Sequence, residues 1–293
     1  MSIRVHVGGR VCPPEEAKIS VFDRGFLYGD SVYESVATSG GRLFALPEHL
    51  TRLERSAARI GLRIPPRTEI ERAVAETVAA AGNAESRVRI TITRGVGKLD
   101  LDPASADDPQ LVVLVMPLDA PSPEMYGRGV SVAVVSVTRN DPRAMDPAVK
   151  SGNYLNSVLA VGEARRRTGA YEAILCAADG SVAEGASSNV FVVVGGSGGG
   201  VVRTPPLAVG ILDGIMRAKV LELCRANGIA VEETRISPEQ LRGADEVFIT
   251  SATRSVLPVT RVDQAPVGAG TPGPVTRRLM ELFADLVGRG GST

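Results

Sequence analysis

Val149-Lys150-Ser151-Gly152-Asn153-Tyr154-Leu155-Asn156-Ser157 is followed, thirty-four positions after its lysine, by Glu184-Gly185-Ala186-Ser187-Ser188-Asn189-Val190-Phe191. Together the two stretches decide how the chain is read. A lysine amine condenses with an aldehyde to form a Schiff base, and a carboxylate held against a pyridine nitrogen keeps that ring protonated and able to accept electrons. Lysine is also scarce. Lys18, Lys98, Lys150 and Lys219 are the whole set, and arginine carries nearly all the remaining positive charge. Lys18, Lys98 and Lys219 read as solvated surface charges; the neighbours of Lys150 set it apart.

Composition narrows the function classes. A chain of 293 residues that is 44% hydrophobic can bury one large core or two moderate ones, and usual domain sizes favour two. With 33 acidic and 33 basic residues the formal charge is zero, so no global field draws nucleic acid or an anionic membrane. Small molecules are the expected partners. No basic segment runs into an apolar stretch of signal-peptide length, and no window approaches about eighteen uninterrupted apolar residues, so a soluble cytoplasmic protein is expected. Cys12, Cys176 and Cys224 are too few and too scattered for a disulfide framework or zinc site, and read as buried thiols. His6 and His49, the only histidines, leave no material for a histidine metal cluster or a Ser-His-Asp triad. No metal is expected.

Periodicity lays out the elements. Ile3 to Val7 and Ser31 to Thr38 read as strands, and Gly40-Gly41 turns the chain into Arg42-Leu43-Phe44 as a hairpin. Leu50, Leu53, Ala57 and Ile60 recur at helical spacing between Pro47 and Leu62. A second helix is expected over Arg67 to Ala81, then strands over Val88 to Thr93 and Leu111 to Met116. Pro121 and Pro123 mark a linker, which places one α+β domain at 1–120 and another at 121–293. Beyond it, Val130 to Val137, Ala173 to Cys176, Val190 to Val194, Val201 to Arg203 and Glu246 to Thr250 read as strands. Tyr154 to Arg167, Asp213 to Asn227 and Thr276 to Val287 read as helices. Gly195 to Gly200 reads as a flexible hairpin tip. Gly268-Ala269-Gly270-Thr271-Pro272-Gly273 has the GxGxxG form of a dinucleotide loop, but only one helix of chain follows it and its prolines suit a turn; the dinucleotide reading is rejected.

Six stretches, in order, resemble the class IV aminotransferases, the fold-type IV group of pyridoxal phosphate enzymes. They are Phe22 to Glu34, His49-Leu50-Thr51-Arg52-Leu53, the Lys150 run, the Glu184 run, Gly210-Ile211-Leu212-Asp213-Gly214-Ile215 and Asp245 to Thr250. The resemblance implies a two-domain α+β fold: a small α/β N-terminal domain and a larger C-terminal domain with a β-barrel-like sheet core and flanking helices. It implies pyridoxal 5'-phosphate as cofactor, with Lys150 binding it covalently and then moving the proton between the amino acid Cα and the cofactor. Glu184 pairs with the pyridinium nitrogen, and Tyr154 matches the tyrosine at the cofactor hydroxyl. Arg52, the helix opening at Gly214-Ile215-Met216 and the turn Ser251-Ala252-Thr253 match the phosphate side. A homodimer with its active site between the two domains is implied as well.

Substrate residues follow the same resemblance. Ala252-Thr253 falls at the turn whose amides meet the substrate α-carboxylate, Arg89 matches an arginine near that pocket, and Tyr33 matches a carboxylate-contacting tyrosine of D-amino acid aminotransferases. Arg87 stands where branched-chain enzymes carry tyrosine, and Arg254-Ser255 replaces their Ala-Glu; both arginines are candidate substrate contacts. The loop from Gly95 to Pro103 is similar to bacterial and archaeal branched-chain sequences and lacks the Arg-x-His clamp of the D-specific enzymes. The leading expectation is transfer of the amino group from an aliphatic L-amino acid to 2-oxoglutarate by a ping-pong mechanism. A D-amino acid aminotransferase and an aminodeoxychorismate lyase are the alternatives, and a non-catalytic binding protein is disfavoured by the presence of both Lys150 and Glu184.

Overall fold

Val88, Ile90 and Ile92 alternate with Arg87, Arg89 and Thr91 along one strand, so one face is apolar and the other polar, as a sheet covered on one side requires. In the computed structural model, which describes residues 2–195 and 200–290, that strand lies inside a six-stranded sheet. In chain order its strands are β1 (Arg4–Val7), β2 (Arg10–Cys12), β3 (Ser31–Ser39), β4 (Arg42–Leu43), β5 (Ser86–Thr93) and β6 (Gln110–Pro117), arranged β2-β1-β6-β5-β3-β4 with antiparallel neighbours throughout. Three helices belong to this unit: α1 (Arg24–Tyr28), α2 (Leu46–Arg59) and α3 (Arg67–Ala81). Leu50, Leu53 and Ala57 of α2 and Ile70, Ala73 and Val74 of α3 share one core with Val32, Val36, Val88, Ile90, Ile92, Val113 and Val115. Burial of each valine, leucine or isoleucine here contributes about 1.5–3 kcal/mol.

The second unit has a nine-stranded sheet buried on both faces. Its elements are α4 (Pro123–Arg128), β7 (Val130–Val134), α5 (Leu155–Thr168), β8 (Glu172–Cys176), β9 (Val182–Gly185), β10 (Asn189–Val194), β11 (Val201–Thr204), α6 (Ile215–Ala226), β12 (Val231–Glu233), α7 (Pro238–Arg242), β13 (Glu246–Ser251), β14 (Ser255–Val262), β15 (Ala265–Pro266) and α8 (Pro274–Gly290). The order is β12-β11-β10-β13-β14-β7-β8-β9, with β15 beside β14; β7 pairs parallel to both β14 and β8, and β11 parallel to β12. Valines fill one face. On the other, Ala160 and Ala164 of α5 pack on Ala133, Ala173 and Leu175, small residues that let the helix approach closely. Phe191 of β10 stacks on its register partner Phe248 of β13, ring centroids 4.7 Å apart.

Several expectations shift. The first unit comprises residues 1–119 together with Val149–Asn153 and 287–293, so the stretch carrying Lys150 groups with the N-terminal sheet although second-unit sequence flanks it. Its backbone explains this, because Ser151 bridges to Val32 and the Gly152 N–H donates to the Ser31 carbonyl. The stretch expected as linker contains α4, its N-terminus capped by the Ser122 hydroxyl. β7 stops at Val134, not Val137, and α6 starts at Ile215, not Asp213. Cys176 is half-buried, unlike Cys12 and Cys224. Of the expected glycine tip, residues 196–199 lie outside the described residues. The GxGxxG segment is a turn into α8, and the first amides of that helix, at Val275 and Thr276, already donate to the Glu246 carboxylate. Among the described residues no helix is long and apolar enough to cross a membrane, and no His/Cys/Asp/Glu group suits a metal.

Candidate active site

In the first unit, Lys150 lies on a short run fastened at every step. Its N–H donates to Ser56 Oγ of α2 at 3.2 Å, and its carbonyl accepts from the Tyr33 N–H of β3 at 2.9 Å. Gly152 must be glycine, since a Cβ there would lie 2.3 Å from Ser31 Oγ. Lys150 Nζ sits 4.6 Å from the centroid of the Tyr33 ring, and the Arg89 guanidinium carbon sits 3.7 Å from the same centroid. Strand register accounts for the second contact: Tyr33 opposes Thr91 and Ser35 opposes Arg89, so Tyr33 and Arg89 share one face of the sheet. Arg87 lies on that face too, opposite Ala37, but is solvent-exposed.

Glu34 points the other way, into the core. It is fully buried; its Oε1 accepts from Arg52 Nε at 2.7 Å, and its Oε2 accepts from Arg52 Nη2 at 2.8 Å and lies 2.7 Å from His49 Nδ1. Burial alone would raise this carboxyl, yet the Arg52 charge and the hydrogen bonds from Arg52 and His49 hold it down at about 2. Burial pushes the His49 imidazole down despite Glu34, so at neutral pH His49 is uncharged and its Nδ1–H donates a hydrogen bond to the carboxylate. Arg52 is therefore a buried, aimed cation and not a solvated helix arginine. Sequence reading missed Glu34 as its holder; a glutamate on the apolar face of a strand, in place of the alternation Val32-x-Val36, is the signal that was available.

The second unit carries the carboxylate. Glu184 of β9 is buried; its Oε2 accepts from the Leu212 N–H at 3.0 Å and from Asn189 Nδ2 at 3.4 Å. Its Oε1 lies 2.8 Å from Arg139 Nε, but that N–H is not directed at the oxygen and is a buried donor without a hydrogen-bond acceptor among the described residues. Arg139 was not foreseen, because it sits in irregular chain where no periodicity marks it. Asn189 also donates to the Leu212 carbonyl at 3.1 Å, which joins Glu184 to the start of α6. Gly214 is the N-cap there, and a Cβ on it would fall 1.8 Å from Asn189 Oδ1. Ile215 and Met216 follow in the first turn, where helix amides favour an anion. Asn189 pairs with Thr250, so the end of β13 and the turn Ser251-Ala252-Thr253 belong to the same region of the sheet as Glu184 and the α6 start. Thr250 Oγ1 and Ser251 Oγ are buried without hydrogen-bond partners among the described residues. Tyr154 is the half-buried residue before α5, its carbonyl accepting from Val158. Arg254 is held by Glu172 at 2.7 Å and Ser187 Oγ at 2.9 Å.

The sequence profile of amino-transferase class IV matches residues 31–262. The chain belongs to that family. Among the relatives of this aminotransferase is a Methanocaldococcus jannaschii protein whose name, branched-chain-amino-acid aminotransferase, is itself provisional; it is 37% identical over 97% of this chain and 96% of its own length. A D-alanine aminotransferase of Bacillus licheniformis is 36% identical over 97% of each chain. The fold is that of a branched-chain amino acid aminotransferase from T.th. crystallised with pyridoxamine 5'-phosphate, at 34% identity and a TM-score of 0.90, covering 97% of this chain and 93% of that one. The residues of this class IV aminotransferase suit a phosphorylated pyridine cofactor on grounds of their own. In the second unit, two buried hydroxyls lack hydrogen-bond partners among the described residues beside a helix N-terminus, and a buried carboxylate stands at that helix. The cofactor of this enzyme is pyridoxal 5'-phosphate.

Proposed function

We propose that this aminotransferase moves the amino group of an aliphatic, branched-chain L-amino acid to 2-oxoglutarate. The observation that carries this reading is the convergence of Lys150 Nζ and the Arg89 guanidinium on the Tyr33 ring, which puts a proton-carrying amine and an anion-binding cation on one side chain. An α-amino acid carries its Cα proton and its carboxylate on the same carbon, and that pair of groups suits it. When bound, the cofactor supplies an aldehyde for the donor nitrogen and a ring that takes up the electrons of the broken Cα–H bond. Lys150 would hold it covalently and move the proton at the donor Cα. Glu184 binds the ring nitrogen; Asn189 and the Leu212 amide aim its Oε2. In the second unit, the α6 amides of Ile215 and Met216 behind Gly214 and the hydroxyl of Ser251 would hold the phosphate; in the first, Arg52, aimed by Glu34 and His49, is a candidate phosphate contact. Tyr154 binds the ring hydroxyl. In the second unit, the amides of Ala252 and Thr253 would receive the substrate carboxylate; in the first, Tyr33 and Arg89 are candidate carboxylate contacts.

A D-amino acid donor is a second reading, favoured by the Bacillus licheniformis relative. One experiment separates the two. Purified, cofactor-loaded protein is mixed with L-leucine and, separately, with D-alanine, and the cofactor absorbance is followed. Fast loss with L-leucine alone supports the branched-chain reading; fast loss with D-alanine alone replaces it with the second. Lys150→Ala is expected to abolish both turnover and covalent cofactor attachment, and retained turnover would remove Lys150 from the mechanism.

The enzyme is further proposed to be a cytoplasmic homodimer. Leu155, Val158 and Leu159 of α5 are exposed at i, i+3 and i+4, and Val21, Phe22, Phe26, Leu99 and Leu101 are exposed in the first unit. Apolar surface gathered in this way marks association surfaces, and an identical chain is the partner of choice for a protein without net charge to repel it.

A further inference from the structure

Arg254 invites reading as a charge for the substrate, because it directly follows the Ser251-Ala252-Thr253 turn. Its partners give it different work. Glu172, 2% exposed, accepts from Arg254 Nη1 at 2.7 Å on the same Oε2 that Ser187 Oγ reaches at 2.7 Å and Ser188 Oγ at 3.3 Å, while its Oε1 lies 3.1 Å from the Ala173 N–H. Among the described residues Arg254 is the cation paired with Glu172. Turning the guanidinium toward a ligand would leave that carboxylate buried without its countercharge, which a low-dielectric surrounding penalises heavily.

The backbone of Arg254 is tied down as well. Its N–H donates to the Ser251 carbonyl at 3.2 Å, closing the turn, and its own carbonyl accepts from the Tyr126 hydroxyl at 2.9 Å. Its guanidinium lies over the Tyr171 ring at 5.2 Å. The next residue, Ser255, has φ +52, a left-handed conformation that a non-glycine residue keeps only where its surroundings enforce it. Side chain, carbonyl and N–H therefore pull on one four-residue turn from three directions.

We propose that Arg254 is a positioning residue: through Glu172 and Ser187 it fastens the Ser251–Arg254 turn, and so fixes the direction of the Ala252 and Thr253 amides that receive the substrate α-carboxylate. This rests on the proposed function, which puts the substrate carboxylate at that turn. Recognition then depends on the Arg254–Glu172 pair as a unit, and equally for every donor and acceptor, since all carry the same α-carboxylate. A direct clamp would act in the opposite way, because freeing Arg254 from Glu172 would strengthen it.

The test uses the cofactor-loaded enzyme and the variants Arg254→Met, Glu172→Gln and their double, with KM and kcat for L-leucine and 2-oxoglutarate and the cofactor affinity of each. Both single variants are expected to raise KM for donor and acceptor by about tenfold, the double by no more than either, with kcat within about twofold. Arg254→Lys should recover part of the loss. Should Arg254→Met lose its fold with a buried charge left behind, Glu172→Gln and the double variant still carry the comparison. A fall in KM for 2-oxoglutarate in Glu172→Gln, against a rise in Arg254→Met, would make Arg254 a substrate clamp and overturn the proposal. Unchanged KM with only a lower melting temperature would overturn it too. Wild-type enzyme that reacts with no amino donor would instead sink the functional reading underneath.

Discussion

Glu34 shows how much one buried charge can decide. Its carboxyl, ordinarily near 4.5, is held at about 2, and His49 is pushed below its ordinary 6.5. Both folded values lie below the unfolded ones, so each group contributes stability that is complete above its unfolded value and lost on acidification: the His49 part below about 6.5, the Glu34 part from about 4.5 down towards 2. Thermal melting followed from pH 7 to pH 3 should show that decline. Glu34→Gln should melt earlier at pH 7, by a loss of roughly 3–5 kcal/mol, and decline less steeply in acid; an equal slope would free Glu34 of this role. Glu184→Gln is expected to keep the cofactor bound while slowing the half-reaction by about a hundredfold or more, and an unaltered single-turnover rate would take Glu184 out of the chemistry. Lys150 and Glu184 stand out in the sequence because each lies in a contiguous motif. Arg139, Glu172 and the holder of Arg52 do not, since each pairing joins residues that share no motif and meet only through strand register and loop packing.

At the level of elements, the strands and helices with a clean period were readable: β3, α2, α3, β5, β6, α5, β10 and α8 all lie where alternation or helical spacing puts them, with ends displaced by a few residues. β14 was not expected, and Pro258 in its middle is the reason, since proline removes a ladder donor and belongs on edges. The structure accommodates it at a point where β14 pairs on one side only: Pro258 opposes Phe248, while pairing with β7 begins at Val259 and is offset by a bulge. The start of α6 was displaced because Gly214 is not the first helical residue but an extended cap packed on Asn189. Gly214→Ala should push Asn189 and the helix start apart and weaken cofactor binding about tenfold with helix content intact. Cofactor titration alongside circular dichroism checks this, and an unchanged dissociation constant would show that the α6 start tolerates the shift. Leu53→Ala, deep in the α2 core, should cost about 2–5 kcal/mol in denaturant unfolding without altering cofactor affinity.

For the whole molecule, the chain falls into two units, and the first takes in Val149–Asn153 and the last stretch of α8 as well as the N-terminal sequence. The return of Val149–Asn153 to the first unit was hidden, because five residues are too few to carry a period and their docking depends on Ser31, Tyr33 and Ser56 far away in the chain. Replacing Val158 and Leu159 by aspartate should halve the mass seen by light scattering if α5 lies in the dimer contact; an unaltered mass would move the contact elsewhere. The same five-residue return has a consequence for anyone who cuts the gene. A first fragment ending at Asp119 would contain Arg52, Tyr33 and Arg89 but no reactive amine, and the remaining fragment would contain the amine but not the sheet that seats it. If Lys150 holds the cofactor as proposed, neither piece is active alone, and covalent capture of the aldehyde cofactor would report, as a colour change, the moment the two pieces complement each other.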